Sequence, residues 1–150
     1  MDFEKINIQI NENMNKAFFN LIDETVNSNN PDYKWITSLY IEIRDRLSKF
    51  LKKDSKTYKQ LYSEFDENLF HQMISNDVFY KESMINLIDN TFGWIEKLQA
   101  PVRDESTKEA KMRVLTSEPN RIVSSFLKEV HYCINFIEDD MVNFFKNIEN

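Results

Sequence analysis

The run Ser117–Asn150, SEPNRIVSSFLKEVHYCINFIEDDMVNFFKNIEN, decides the fold. Ile122, Val123, Phe126, Val130, Ile134, Ile137, Met141, Phe144 and Ile148 recur at three- and four-residue steps. That period stacks them along one side of an α-helix, whereas a strand would alternate them every second residue. Ser117-Glu118-Pro119 supplies the start, because proline lacks an amide hydrogen that the first helical turn leaves unpaired anyway. The spacing predicts a long last helix with this stripe turned inward, the central helix of the core.

The same period recurs upstream. Ile6, Ile10, Met14, Ala17, Phe18, Leu21 and Ile22 predict a helix over about 3–26, ended by Asn27-Ser28-Asn29-Asn30. Asn30 and Pro31 fit the cap and first turn of a second helix to about Leu51. Its inner face carries Ile36, Leu39, Tyr40, Ile43, Leu47 and Phe50, with Arg44, Asp45, Arg46 and Lys49 mostly outward. A shorter helix follows over 56–64, with Tyr58, Leu61 and Tyr62, and Asp66 caps another carrying Leu69, Phe70, Met73 and Ile74. Met84, Ile85, Ile88, Phe92, Ile95 and Leu98 predict a helix over about 79–99 despite Gly93. A helix-interior glycine costs about 1 kcal/mol relative to alanine, which a close helix crossing would explain. Ala100-Pro101 ends that helix, and Asp104 and Glu105 suit the N-terminus of a weakly amphipathic one to about Leu115.

The expectation is therefore an all-α chain, one helical bundle of about seven helices with residues 1–150 as a single domain. Composition agrees: twelve Phe, six Tyr and two Trp stand against one Gly and three Pro, too few turn-formers for the repeated hairpins or glycine loops of a sheet fold. The residue usage, rich in Asn, Ile, Lys and Phe, fits an AT-rich genome such as that of a protist, a low-GC microbe or a large virus.

A net charge of -6 opposes phosphate backbones and anionic lipid, so neither nucleic-acid binding nor membrane insertion is expected. The cluster Lys49, Lys52, Lys53, Lys56 and Lys59 coincides with a helix end, where cations are favoured, and reads as solvated. Cys133 is alone, so no disulfide or cysteine-rich metal site forms within the chain. With no signal-peptide pattern at Met1–Lys5, an intracellular, reducing, cytoplasmic setting is expected.

Chemistry is sparse. His71 and His131 lie near no recognisable nucleophile motif and read as surface or flank residues. His131 and Cys133 are two apart on a helix, pointing about 200° from each other, and cannot share a metal ion. Glu138-Asp139-Asp140 fans out by about 100° per residue and reads as a solvated acidic face. No phosphate loop, dinucleotide fingerprint, kinase signature or EF-hand loop is present. The expectation is a non-enzymatic protein with no cofactor and no metal.

Four motifs then fall in order: Pro31-Asp32-Tyr33; Ile43-Arg44-Asp45-Arg46-Leu47; Ala100-Pro101-Val102-Arg103-Asp104-Glu105; and Asp140-Met141-Val142-Asn143-Phe144. Together they resemble the T-complex protein eleven family over about residues 30–145. Gln99 stands where the family usually has Cys, Ser106 where it has a second Glu, and Val142 where it has Ala. Because family members continue well beyond the last motif, this chain looks like a trimmed version of the domain. The resemblance implies a regulatory or scaffolding role linked to cyclic-AMP and protein-kinase-A signalling, with no established enzymatic activity or cofactor.

Read physically, Pro101 fixes a turn, Asp104 and Glu105 favour a helix N-terminus, and Arg103 offers a planar fork to a carboxylate. One reading pairs Arg103 with Asp140 across two helices, with Asp104 or Asn143 completing a polar clamp. The other leaves these residues as separate caps and surface charges. The partner expected is another protein, with Tyr33, Trp35, Tyr80 and Trp94 as candidate contact aromatics, at least half of them serving as packing. The alternative is a self-assembling structural homo-oligomer, conceivably of a large virus, pairing its first or last helix between copies.

Overall fold

The computed structural model describes residues 16–28, 33–75 and 82–149. Among these residues every regular element is helical. A helical stretch over 16–26 is α1. Six further helices follow: α2 (Lys34–Ser48), α3 (Lys56–Glu64), α4 (Glu67–Ser75), α5 (Glu82–Leu98), α6 (Asp104–Leu115) and α7 (Ile122–Glu149). Single 3-10 turns at Pro101–Arg103 and Pro119–Arg121 lead into α6 and α7. The all-α expectation holds, with six fully bounded helices against the about seven expected. The expectations for Ile6, Ile10, Met14, Asn30 and Pro31 lie outside the described residues.

Local chemistry sets the boundaries. Ser55 has extended backbone and its Oγ accepts from the Tyr58 amide, satisfying one of the amides that the first turn of α3 leaves open. Just before it Asp54 takes φ 63°, a left-handed conformation that short polar side chains tolerate, and this turns the chain between α2 and α3. Asp66 Oδ1 accepts from the amides of Asn68 and Leu69 and caps α4, as the sequence predicts. Pro101 and Pro119 each open a 3-10 turn after a residue in extended backbone, Ala100 and Glu118, the conformation a following proline imposes.

The 28-residue α7 is the spine, about 42 Å long at 1.5 Å per residue. Its buried side chains Ile122, Val123, Phe126, Leu127, Val130, Ile134 and Ile137 join one core with α2, α5 and α6. On α2, Tyr40 is sandwiched between Phe70 and Phe65, with ring centroids 4.2 Å and 5.2 Å away, which clamps α4 and the end of α3 onto α2. Burial pushes the Tyr40 hydroxyl well above the usual phenol range. Trp94, offered as a contact aromatic, is only 2% exposed, and its indole N–H donates to Glu64, tying α5 to α3. Trp35 and Tyr33 are half-buried against the core, and Tyr80 lies outside the described residues.

Several side chains depart from their predicted places. Leu69 and Ile85 are exposed, so each stripe is narrower than its period suggested. On α1 the core residues are Ile22 and Val26, while Ala17, Phe18 and Leu21 lie outside, about a third of a turn from the predicted face. Met141, Phe144 and Ile148, expected in the core, are exposed, because α7 continues past the helices that cover its first half. A Cβ built on Gly93 meets nothing within 4 Å, so a close helix crossing is not what places glycine there.

Candidate functional site

The C-terminus of α5 hands over to α6 through Pro101–Arg103, and this turn aims Arg103 at α7. Arg103 N–H donates to the Ala100 carbonyl at 2.9 Å, fixing the turn. Its guanidinium then donates from Nε to Asp140 Oδ2 at 3.0 Å and from Nη2 to Asp140 Oδ1 at 2.7 Å. These two parallel bonds form the fork that arginine alone among side chains offers a carboxylate. The same guanidinium lies 4.7 Å from the Phe136 ring centroid, one helical turn before Asp140. Of the two sequence readings, the paired one is observed. The Arg103 hydrogen bonds hold the Asp140 carboxyl below its ordinary range.

The remaining clamp residues go elsewhere. Asp104 Oδ1 accepts from Gln99 Nε2 at 2.8 Å, and Thr107 Oγ1 donates to Gln99 Oε1, so these three form a second network that locks the start of α6 to the end of α5. Gln99 is thus a structural residue at the position where the resemblance has Cys. Glu105 and Asn143 are exposed, and neither takes part in the Arg103–Asp140 pair.

Two further arginines reach α7 from other helices. Arg113 on α6 forks onto Glu129, with Nε and Nη2 both 3.0 Å from its carboxylate oxygens. Between this pair and Arg103 lies a small cavity of about 110 Å³, walled by Thr107, Ala110, Cys133 and Phe136. Burial, and next the Glu129 charge, push the Cys133 thiol up to about 11. From α2, Arg46 donates to Glu138 at 3.2 Å, to Asn135 Oδ1 at 2.6 Å and to His131 Nδ1 at 2.9 Å. His131 Nε2 lies 3.3 Å from the Leu39 carbonyl, so the neutral ring with its proton on Nε2 satisfies both contacts.

This overturns three sequence expectations. Arg46 turns inward, with 15% of its side chain exposed, since a long arginine on the flank of an apolar stripe lays its stem along the core and sends its head to a neighbouring helix. His131 is not a surface residue: it is packed between α2 and α7, and burial followed by the Arg46 charge lowers its pKa. Glu138-Asp139-Asp140 is not one solvated face either. Glu138 binds Arg46 on the α2 side, Asp140 binds Arg103 on the other, and only Asp139 is left exposed. His71 is exposed, edge-on to Tyr33. Arg46 stood inside the quoted Ile43–Leu47 motif, a signal that its role differed from that of an ordinary surface charge. Nothing comparable marked Arg113 or Glu129.

Chemically, the site is a strut with an apolar border. Phe136 at 48% exposure lies under the Arg103 guanidinium, Val102 at 84% precedes Arg103 in the turn, and Met141 and Phe144, the latter 61% exposed, edge a shallow groove with Asp140, Leu98 and Ala100. Among the described residues no three His, Cys, Asp or Glu side chains converge as a metal would require, and no helix is long and apolar enough to cross a membrane.

No solved structure matches the chain. The family model described as T-complex protein 11 matches residues 2–145, reaching nearly to the N-terminus where the motifs alone began at about 30. The chain belongs to the T-complex protein 11 family.

Proposed function

We propose that this chain is a non-enzymatic protein-interaction module, and that the face around Arg103 and Asp140 is where a partner protein docks. One observation carries the reading: the ion pair of the two family motifs lies beside exposed large apolar side chains, Phe136 against Arg103 and Phe144 in the groove with Asp140, with exposed Val102 next to Arg103 in the turn. Exposed apolar groups around a rigid, directional polar centre suit protein recognition, because the apolar rim supplies burial energy and the fork supplies orientation. The rigidity has a source as well. Pro101, the Gln99–Asp104–Thr107 network and the Phe136 ring hold Arg103 in place before any partner arrives.

Family membership adds the expectation that the pathway served is cyclic-AMP and protein-kinase-A signalling in a cytoplasmic setting. The test is affinity capture with the intact chain beside a Val102→Glu, Phe144→Glu variant and an Arg103→Ala variant, each checked for unchanged helicity by circular dichroism. Loss of the same partner in both variants supports the face as the docking site; undiminished recovery with Val102→Glu, Phe144→Glu overturns it. Titration of purified protein-kinase-A subunits and of cyclic AMP into the intact chain decides the pathway, and no heat or shift with either removes it.

The exposed end of α7 also supports a second reading, a structural component that self-assembles through this helix. Light scattering separates the two: a monomer at all concentrations excludes self-assembly, and a concentration-dependent oligomer abolished by Phe145→Glu establishes it.

A further inference from the structure

Where α1 meets the first half of α7, a polar cleft opens. Asn27 Nδ2 donates to the Asn120 carbonyl at 3.0 Å, and at the other end of the contact Phe19 lies in the cleft with Tyr132. Residue numbers fall along α1 as they rise along α7, so the two helices run antiparallel. The cleft between them has a volume of about 430 Å³, within the range of small-molecule sites. Helical spacing builds both walls. Lys16 and Asp23, about two turns apart, share one side of α1, and Arg121, Ser125, Lys128 and Tyr132 recur at three- and four-residue steps leading into and along α7.

The cleft is charged against the sign of the molecule. In a chain of net charge -6 it gathers three cations, Lys16, Arg121 and Lys128. Among the described residues the side chains of these three form no ion pair and no hydrogen bond. Glu129 also lines the cleft, but the Arg113 fork already holds its carboxylate. Only Asp23 therefore opposes the three cations, which leaves an excess of two positive charges. Like charges gathered in a cleft repel one another and focus the field there, and a bound anion relieves the one and is drawn by the other.

The uncommitted polar groups define the rest of the ligand. Ser117 and Ser124 spend their hydroxyls on the carbonyls of Val114 and Arg121, whereas the hydroxyls of Ser125 and Tyr132 remain able to donate. The Asp23 carboxylate receives no donor, and its Oδ1 is buried. A buried acceptor without a donor is costly, which favours a ligand that supplies one. Arg121 can present two parallel N–H groups to one phosphate, and the lysines act as point charges beside it. A phosphate monoester carries about -1.5 to -2 at pH 7, which matches the excess charge.

We propose that this cleft binds a small phosphate monoester bearing a hydroxyl a few bonds from phosphorus. Arg121, Lys128 and Lys16 hold the phosphate, Ser125 and Tyr132 add donors, and Asp23 accepts from the hydroxyl. None of Val102, Arg103, Phe136, Asp140 and Phe144 lines this cleft, so the site is independent of the docking face proposed above.

Two probes test it on the full chain: glycerol 3-phosphate, which has both groups, and sulfate, a dianion without a donor. Glycerol 3-phosphate is expected to bind saturably in calorimetry, and amide NMR shifts on titration are expected to centre on α1 and the first turns of α7. Arg121→Gln, Lys128→Gln changes two exposed side chains. It is expected to leave Tm unchanged and to weaken both probes by about ten-fold or more, since charge-assisted hydrogen bonds are lost. Asp23→Ala is expected to separate the probes: glycerol 3-phosphate binds more weakly, while sulfate, relieved of a repelling carboxylate, binds as well or better. Absence of saturable binding, shifts centred elsewhere, affinity unmoved by Arg121→Gln, Lys128→Gln, or a parallel loss of both probes in Asp23→Ala overturns the proposal. So does a phosphoserine peptide that binds where glycerol 3-phosphate does not, which would make the ligand a protein. The NMR titration of the native chain decides the location without any variant having to fold.

Discussion

Replacing Arg46 by alanine tests the strut between α2 and α7 most directly. Three losses follow from the geometry. Glu138 and Asn135 each lose a donor, but both are exposed enough for water to replace it, so each loss is worth about 0.5 kcal/mol. His131 Nδ1, packed between the helices, loses its partner where water enters poorly, and an unsatisfied buried acceptor costs about 1–3 kcal/mol. The sum is about 2–4 kcal/mol. For a chain of 150 residues each kcal/mol moves Tm by about 2–4 °C, so thermal denaturation is expected to show a fall of roughly 5–15 °C.

The same substitution has a titration signature that a packing defect would not give. In the native chain His131 is held neutral by burial and by the Arg46 charge, so its folded pKa lies below the ordinary value of 6.5. The unfolded chain therefore binds the proton first, and stability is full above that value and declines as pH falls below it. Removing Arg46 takes away the repulsive charge, so the His131 imidazole resonance, followed by NMR, is expected to titrate at higher pH than in the native chain. A Tm loss under 2 °C together with an unmoved His131 titration would refute the assignment of Arg46 as the inward strut.

Three other outcomes are expected. Gly93→Ala should raise stability by about 1 kcal/mol, a Tm gain of about 2–4 °C in calorimetry, because a Cβ there meets nothing and the helix loses its most flexible residue; a loss instead would mean that the glycine serves a close approach. Cys133, with its thiol pushed up to about 11 and buried, should resist iodoacetamide at pH 8 in the folded chain and react fully in urea, as read by mass spectrometry. Because Arg103 depresses the Asp140 carboxyl, the stability it contributes is present above the ordinary carboxylate range and is lost as pH falls through the lowered folded value; Asp140→Asn should flatten the acid limb of a Tm-against-pH curve, and an unchanged limb would show that the pair contributes nothing to folding.

The helices were legible because their signal is local: a period of three to four residues, a cap such as Asp66 and a proline such as Pro101 each act within one or two turns. What a stripe faces is not local. Met141, Phe144 and Ile148 continue the period of α7 without a break, and only the reach of helices far earlier in the chain, α5 ending at Leu98 among them, decides that they are uncovered. Gly93 fails for the same reason, since whether a second helix crosses there is a tertiary fact. At the site, Arg103 and Asp140 were legible as a pair because two motifs carried them. Asp104 was misassigned because a carboxylate at a helix N-terminus has several available donors, and the amide of Gln99 reached it first.

Three arginine–carboxylate pairs, two of them bidentate forks, explain why so acidic a chain still organises around one long helix. α7 carries Glu129 and Asp140 on one flank and Glu138 on another, and each receives an arginine from a different element: α6, the turn before α6 and α2. Apolar packing alone leaves a helix of this length free to slide or rotate against its neighbours at small cost, since a stripe of Ile, Val and Phe repeats every turn. A specific arginine–carboxylate pair does not repeat along the stripe, so each one favours a single register of α7 against one neighbour. The Arg103–Asp140 fork is the outermost of the three. It therefore sets where the uncovered half of α7, with Phe144 and Phe145 exposed, projects from the bundle, and it connects the family motifs to the surface on which the proposed docking depends.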